Sequence, residues 1–168
     1  MPTERAQTWT PTVRGLYQQD AARGAVALTF PAEAQAFGAP EQVTLDYTLD
    51  GGTLQIALRW HGKPANRIAE AFWLSFTPAH VDPASWRIEK LGRLIDPRDV
   101  VSRGARTLHA VDQRVTAAGF TLTTDDATLV APGAPSLLDF HNRVPDMRGG
   151  VHVCLYNNLW GTNFPMWY

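Results

Sequence analysis

The 168-residue chain carries 15 basic and 16 acidic side chains, is 45% hydrophobic but only 18% charged, and has a formal net charge of −1. Such a composition excludes a disordered tail, a coiled coil and a collagen-like chain. The charge balance also leaves little to attract a phosphate backbone, so no nucleic-acid partner is expected. No run of about 18 apolar residues offers a membrane span, and Met1–Thr8 lacks the apolar stretch of a signal peptide. The expectation is therefore a cytoplasmic protein with no membrane partner, forming a single β-sandwich domain over residues 1–168. One cysteine, Cys154, cannot make an internal disulfide, and its apolar neighbours Val151–Tyr156 suit a small buried side chain.

Taken in chain order, the first strand expected is Ala25–Phe30, closed by Pro31. The clearest signal follows. Val43, Leu45, Tyr47 and Leu49 alternate with polar residues, Asp50-Gly51-Gly52 turns the chain, and Leu54, Ile56, Leu58 and Trp60 alternate on the return. Period-two patterning on both sides of a Gly-rich turn predicts a hairpin. Further strands are expected at Glu70–Thr77, Trp86–Ile95, Thr107–Val111, Phe120–Thr124, Thr128–Ala131 and Val151–Tyr156, each short and bounded by Gly, Pro or Asp. Only Pro31–Phe37, Pro64–Ala71 and Arg98–Gly104 could hold a helical turn, and each is too short for a stable amphipathic helix. The pattern predicts an all-β antiparallel sandwich.

Motif chemistry is sparse. The sequence has no Gly-x-x-x-x-Gly-Lys, no Gly-x-Gly-x-x-Gly after a strand and no Gly-x-Ser-x-Gly elbow. The five histidines, at 61, 80, 109, 141 and 152, have no partners at zinc-ligand spacing. His109 and Asp112 would point to opposite faces of a strand, and Asp125-Asp126 suits a turn. No catalytic residue, metal ligand or cofactor is assigned on this basis.

Two segments carry more polar-aromatic chemistry than a core requires. Trp60–Trp73 leaves a strand, turns through Gly62 and Pro64, and brings Trp60, His61, Lys63, Arg67 and Glu70 together in sequence. It reads either as a loop presenting hydrogen-bonding groups to a ligand or as an Arg67–Glu70 pair tying the loop down. Leu155–Tyr168 sets Asn157, Asn158 and Asn163 among aromatics that include Trp160. Aromatic faces cover the C–H side of a sugar and amides bond its hydroxyls, so these residues are candidate carbohydrate-binding groups. The alternative is that Asn157-Asn158 and Gly161 form turns and the aromatics close the sandwich. If the two segments serve one site, they should meet in a shared patch.

The same segments carry a resemblance. Trp60–Lys63 with Pro64-Ala65-Asn66-Arg67-Ile68-Ala69-Glu70-Ala71, then Glu89-Lys90-Leu91-Gly92, Asp96-Pro97, Leu108-His109-Ala110-Val111-Asp112 and Asn157-Asn158-Leu159-Trp160-Gly161-Thr162-Asn163-Phe164-Pro165, follow one another in order. Together they resemble the C-terminal region of an uncharacterised family related to α-mannosidase-like glycoside hydrolases, from about Leu54 onward. The resemblance implies a sandwich of the galactose-mutarotase-like type, packed in full-length relatives beside a catalytic barrel that holds the metal ligands and nucleophile. For this chain it implies a non-catalytic, carbohydrate-associated accessory module whose partners are a carbohydrate and a barrel domain or separate chain. Two alternatives stand beside it. One is a mutarotase- or epimerase-like sugar enzyme using His61, Glu70, His109 and His152. The other is a structural or assembly domain that docks a partner through its aromatic C-terminus.

Overall fold

The structure, a computed structural model, describes residues 6–66, 68–137 and 141–158. The described residues are almost wholly β: one five-residue helix and two 3-10 turns accompany twelve strands in three antiparallel sheets. The all-β class expected from the alternation is what forms. By contact the chain divides into two compact units, Met1–Ile68 and Ala69–Tyr168.

The first unit is a four-stranded meander, β1 (Thr12–Gln18), β2 (Arg23–Thr29), β3 (Gln42–Asp50) and β4 (Thr53–His61), with α1 (Ala32–Ala36) between β2 and β3. The predicted hairpin is β3–β4. Asp50 faces Thr53, so Gly51-Gly52 is a two-residue loop, and both glycines have positive φ (53° and 86°). That is the primed turn whose twist matches the flanking strands, and it needs residues tolerant of φ > 0.

The second unit is the sandwich. One sheet is ordered β5-β12-β11-β8, from β5 (Ala71–Phe76), β8 (His109–Ala110), β11 (Leu129–Pro132) and β12 (Val151–Asn157). The other is ordered β10-β9-β6-β7, from β6 (Arg87–Lys90), β7 (Arg93–Ile95), β9 (Arg114–Ala117) and β10 (Phe120–Thr123). Their inner faces meet in one core: Ile88, Val115 and Ala117 from the second sheet against Val130, Val151 and Val153 from the first, with Trp86, Val111 and Met147. The Phe120 ring bridges the layers. It meets Trp86 edge-on at 5.8 Å and Phe76 at 6.4 Å, geometries that aromatic pairs favour.

Several expectations are corrected. β1 and β9 were not anticipated. Trp86–Ile95 is not one strand but the hairpin β6–β7, turned at Leu91-Gly92 with φ of 50° and 72°. Pro31–Phe37 does contain the helix, but 64–66 and 68–70 lie outside any helix or strand. Arg98–Gly104 is a looped segment held by Arg106, whose guanidinium donates to the carbonyls of Arg98 (3.0 Å) and Val100 (2.9 Å). No described helix is long and apolar enough to cross a membrane.

Candidate functional site

The first unit's sheet has two unlike faces. Register places Val43, Leu45, Tyr47 and Leu49 of β3 opposite Trp60, Leu58, Ile56 and Leu54 of β4. On the other flank Leu28 and Val26 of β2 pair with Val43 and Leu45, and Val13 and Leu16 of β1 pair in turn with Leu28 and Val26. Directly opposed residues share a face, so these twelve side chains form one surface that is apolar across all four strands and carries no charge. β1 joins it only because a bulge between Val13 and Gly15 inserts one extra residue and restores the phase. The opposite face carries Thr44, Asp46 and Thr48, with Arg59 ion-paired to Asp46.

Five of these twelve side chains are exposed and six are half-buried. Val13, Leu16, Leu49, Leu54 and Trp60 are exposed, Leu16 by 74% and Trp60 by 38%; of the twelve only Val43 is buried. Alternation in the sequence marks eight of these residues as one side of the β3–β4 hairpin. Alternation does not tell whether that side is covered, and the exposure of Leu49, Leu54 and Trp60 is visible only in the structure.

The anticipated binding residues fall in several places. Trp60 lies on the apolar face, whereas His61, its neighbour in β4, points to the other face and is exposed. Lys63 and Asn66 are engaged by the end of α1: Lys63 Nζ donates to the Gly38 carbonyl (2.9 Å) and Asn66 Nδ2 to that of Phe37 (3.2 Å). Cationic and amide groups commonly satisfy carbonyls left over at a helix C-terminus. Asn66 Oδ1 also accepts from the Ile68 N–H (3.0 Å).

In the second unit Asn158 clamps Glu70. Its Oδ1 accepts from the Glu70 N–H (2.6 Å) and its own N–H donates to the Glu70 carbonyl (3.0 Å), which carries the β5–β12 ladder one step past Asn157↔Ala71. Asn157 is exposed, and its amide approaches Cys154 Sγ at 3.8 Å. Arg67, Trp160 and Asn163 lie outside the described residues, and with them the expected Arg67–Glu70 pair and most of the expected shared patch.

Two buried histidines belong to the sandwich. His109 pairs with Val130 and His152 with Ala131, successive residues of β11, so the two rings occupy opposite faces of their sheet and form no converging acid–base pair. Burial pushes both below the usual imidazole range; the Lys90 charge adds to the effect at His109, while carbonyls of Arg106 and Pro97 oppose it there and that of Gly133 opposes it at His152. His152 Nδ1 lies 2.7 Å from Ser75 Oγ across the β12–β5 pair, and Nε2 of each ring is buried without a hydrogen-bond partner. Burial likewise pushes the Cys154 thiol up, consistent with an inert side chain rather than a nucleophile. No group of His, Cys, Asp or Glu among the described residues could hold a metal ion.

A concavity at the turn end of the first sheet is lined by residues that include Asp20, Arg23, Asp50 and Gln55. One of its two carboxylates is already saturated: Asp20 accepts from the Ala22 and Arg23 N–H groups (2.8 Å each) and from the Arg23 guanidinium. These bonds hold Asp20 below the usual carboxylate range. The group closes a turn.

Comparison with family models, with curated proteins and with solved structures finds no match.

Proposed function

We propose that the chain is a non-catalytic docking module whose working surface is the apolar face of β1–β4. The observation that supports this is a continuous row-on-row apolar face of twelve side chains, five of them exposed and six half-buried. With strands about 4.8 Å apart and about 3.4 Å per residue, four strands of this length present a footprint of about 500 Å², of which the twelve apolar side chains cover about 400 Å². Leaving apolar area in water forgoes roughly 25 cal/mol per Å², and a patch of this size is as large as the largest on a typical monomer, which is often functional. A protein surface suits the face better than a sugar does, because its hydrogen-bonding side chains are few: the Tyr47 hydroxyl, the Trp60 indole and, at the edge, Gln18, whose amide already donates to the Asp20 carbonyl. An environment-sensitive apolar dye tests the reading. At about 1 μM the folded parent should bind it, and a Leu16→Lys/Leu54→Lys variant with unchanged circular dichroism should bind severalfold less. Equal binding by the two would overturn the proposal.

A second reading keeps the module carbohydrate-associated: a cytoplasmic accessory to an α-mannosidase-like glycoside hydrolase, of galactose-mutarotase-like type, docked to a catalytic barrel in the same or a separate chain. Trp60 supports it, since an exposed indole at the end of a sheet face can cover the apolar side of a sugar ring. Titration with mono- and oligosaccharides, followed by tryptophan fluorescence, should give a saturable response that Trp60→Ala abolishes. No response to any sugar would remove this reading and leave the docking one.

A further inference from the structure

We infer that the apolar face of β1–β4 packs against the same face of a second copy of the chain, closing a two-layer sandwich between subunits; this rests on the docking reading above. A sheet that is apolar on one face and polar on the other is half of a two-layer structure, and its apolar side needs a second layer. Area, charge and shape each favour an identical sheet as that layer.

Two footprints of about 500 Å² bring the total to about 1,000 Å², where specific interfaces begin and beyond most chance contacts. The accessible area of a corrugated face exceeds its footprint, which moves the figure toward the standard range. No position on the face is charged, so a copy meets no like-charge repulsion and strands no ion, whereas a charged partner would find nothing to pair with. Of the charged groups in these strands, Asp46 and Arg59 are turned to the other side and paired with each other, Arg23 and Asp50 lie on that side too, and Arg14 is the residue of the bulge, with no cross-strand partner. Two copies also have the same right-handed twist, the condition for aligned packing at about −30° and about 10 Å separation. A two-fold axis through the face makes the contact isologous and closed, so assembly stops at two.

Sedimentation velocity on the full chain, from about 1 μM to about 100 μM, tests this over a range in which an interface of this size can dissociate. At the upper end the expected mass is twice the 18.6 kDa of one chain. On dilution it falls toward one chain while binding of the apolar dye rises. Leu16→Lys on β1 and Leu54→Lys on β4 each enter the contact twice and should weaken the dimer at least about 30-fold. Leu91→Lys, 94% exposed in the other unit, should leave it unchanged. A chain that stays monomeric at about 100 μM and still binds dye overturns self-pairing but not the docking reading. A monomer that binds no dye at any concentration overturns both. A dimer indifferent to Leu16→Lys and Leu54→Lys uses another surface, and that too overturns the inference.

Discussion

At Leu91 the backbone adopts a left-handed conformation (φ 50°) while the side chain stands 94% exposed. A leucine in that region costs about 1 kcal/mol from Cβ sterics and gains nothing here from burial. Asparagine tolerates the conformation, and Asn-Gly is the preferred pair for a two-residue primed turn. Leu91→Asn should therefore stabilise the chain by about 1 kcal/mol, measured as a higher urea midpoint with an unchanged slope. The opposite sign is expected at Gly38, where φ is 99° and a Cβ would lie 1.7 Å from Asn66 Nδ2. Gly38→Ala combines backbone strain with expulsion of the Asn66 amide from its place at the end of α1, and should cost about 2 kcal/mol or more. An unchanged midpoint for Gly38→Ala would show that Asn66 is not needed there. Neither Lys63 nor Asn66 could be read as a structural clamp from sequence, because the carbonyls they bond lie 25 and 29 residues away.

Among the elements, β1 shows how one residue can hide a strand. Thr12-Val13-Arg14-Gly15-Leu16-Tyr17 has no period of two, because Val13 and Leu16 share a face across the bulge at Arg14. Deleting one residue from a strand normally sends every later side chain to the wrong face. Deleting Arg14 should instead regularise the pairing, with Val13 still opposite Leu28 and Leu16 still opposite Val26. The expected loss is under about 1 kcal/mol, whereas deletion of Leu45 from β3 should abolish folding of the first unit. Comparable damage from the two deletions, read by thermal unfolding, would show that the bulge is required. The β6–β7 hairpin was hidden differently: an apolar Leu91 at the turn made two short strands look like one. β9 has only four residues, with Val115 and Ala117 as its inward pair, too few for a pattern to stand out. Asn158 could not have been assigned its role either, since the Glu70 backbone it completes is 88 positions away.

For the whole molecule, the two buried histidines make the sandwich sensitive to acid. Each has a folded pKa below its unfolded value of about 6.5, so each binds a proton more readily in the unfolded chain. Their contribution is complete above about pH 6.5 and is lost as the pH falls from there through the lowered folded values. The slope reaches about 1.4 kcal/mol per pH unit for each histidine that titrates only on unfolding. Urea midpoints should thus decline between pH 7.5 and pH 5, and a His152→Gln variant should show a shallower decline than the parent. A flat profile in the parent would mean that both rings protonate within the fold. Asp96 acts in a lower window. Bonds from Arg98 (2.6 and 2.8 Å) hold its carboxyl below the usual range, so its share is kept above about pH 4 and disappears only under more acid conditions.

By itself the amino-acid order determined the all-β class, the β3–β4 hairpin with its Gly-Gly turn, and the two apolar rows that face each other across it. These follow from alternation and turn chemistry, which act over a few neighbouring residues. Only the tertiary structure decided that the same rows continue through β2 and a bulged β1, and that five of the twelve side chains on the resulting face are exposed. A period of two says that the faces of a strand differ. Whether the apolar face is covered depends on what stacks against it, and stacking is a relation between segments far apart in the chain.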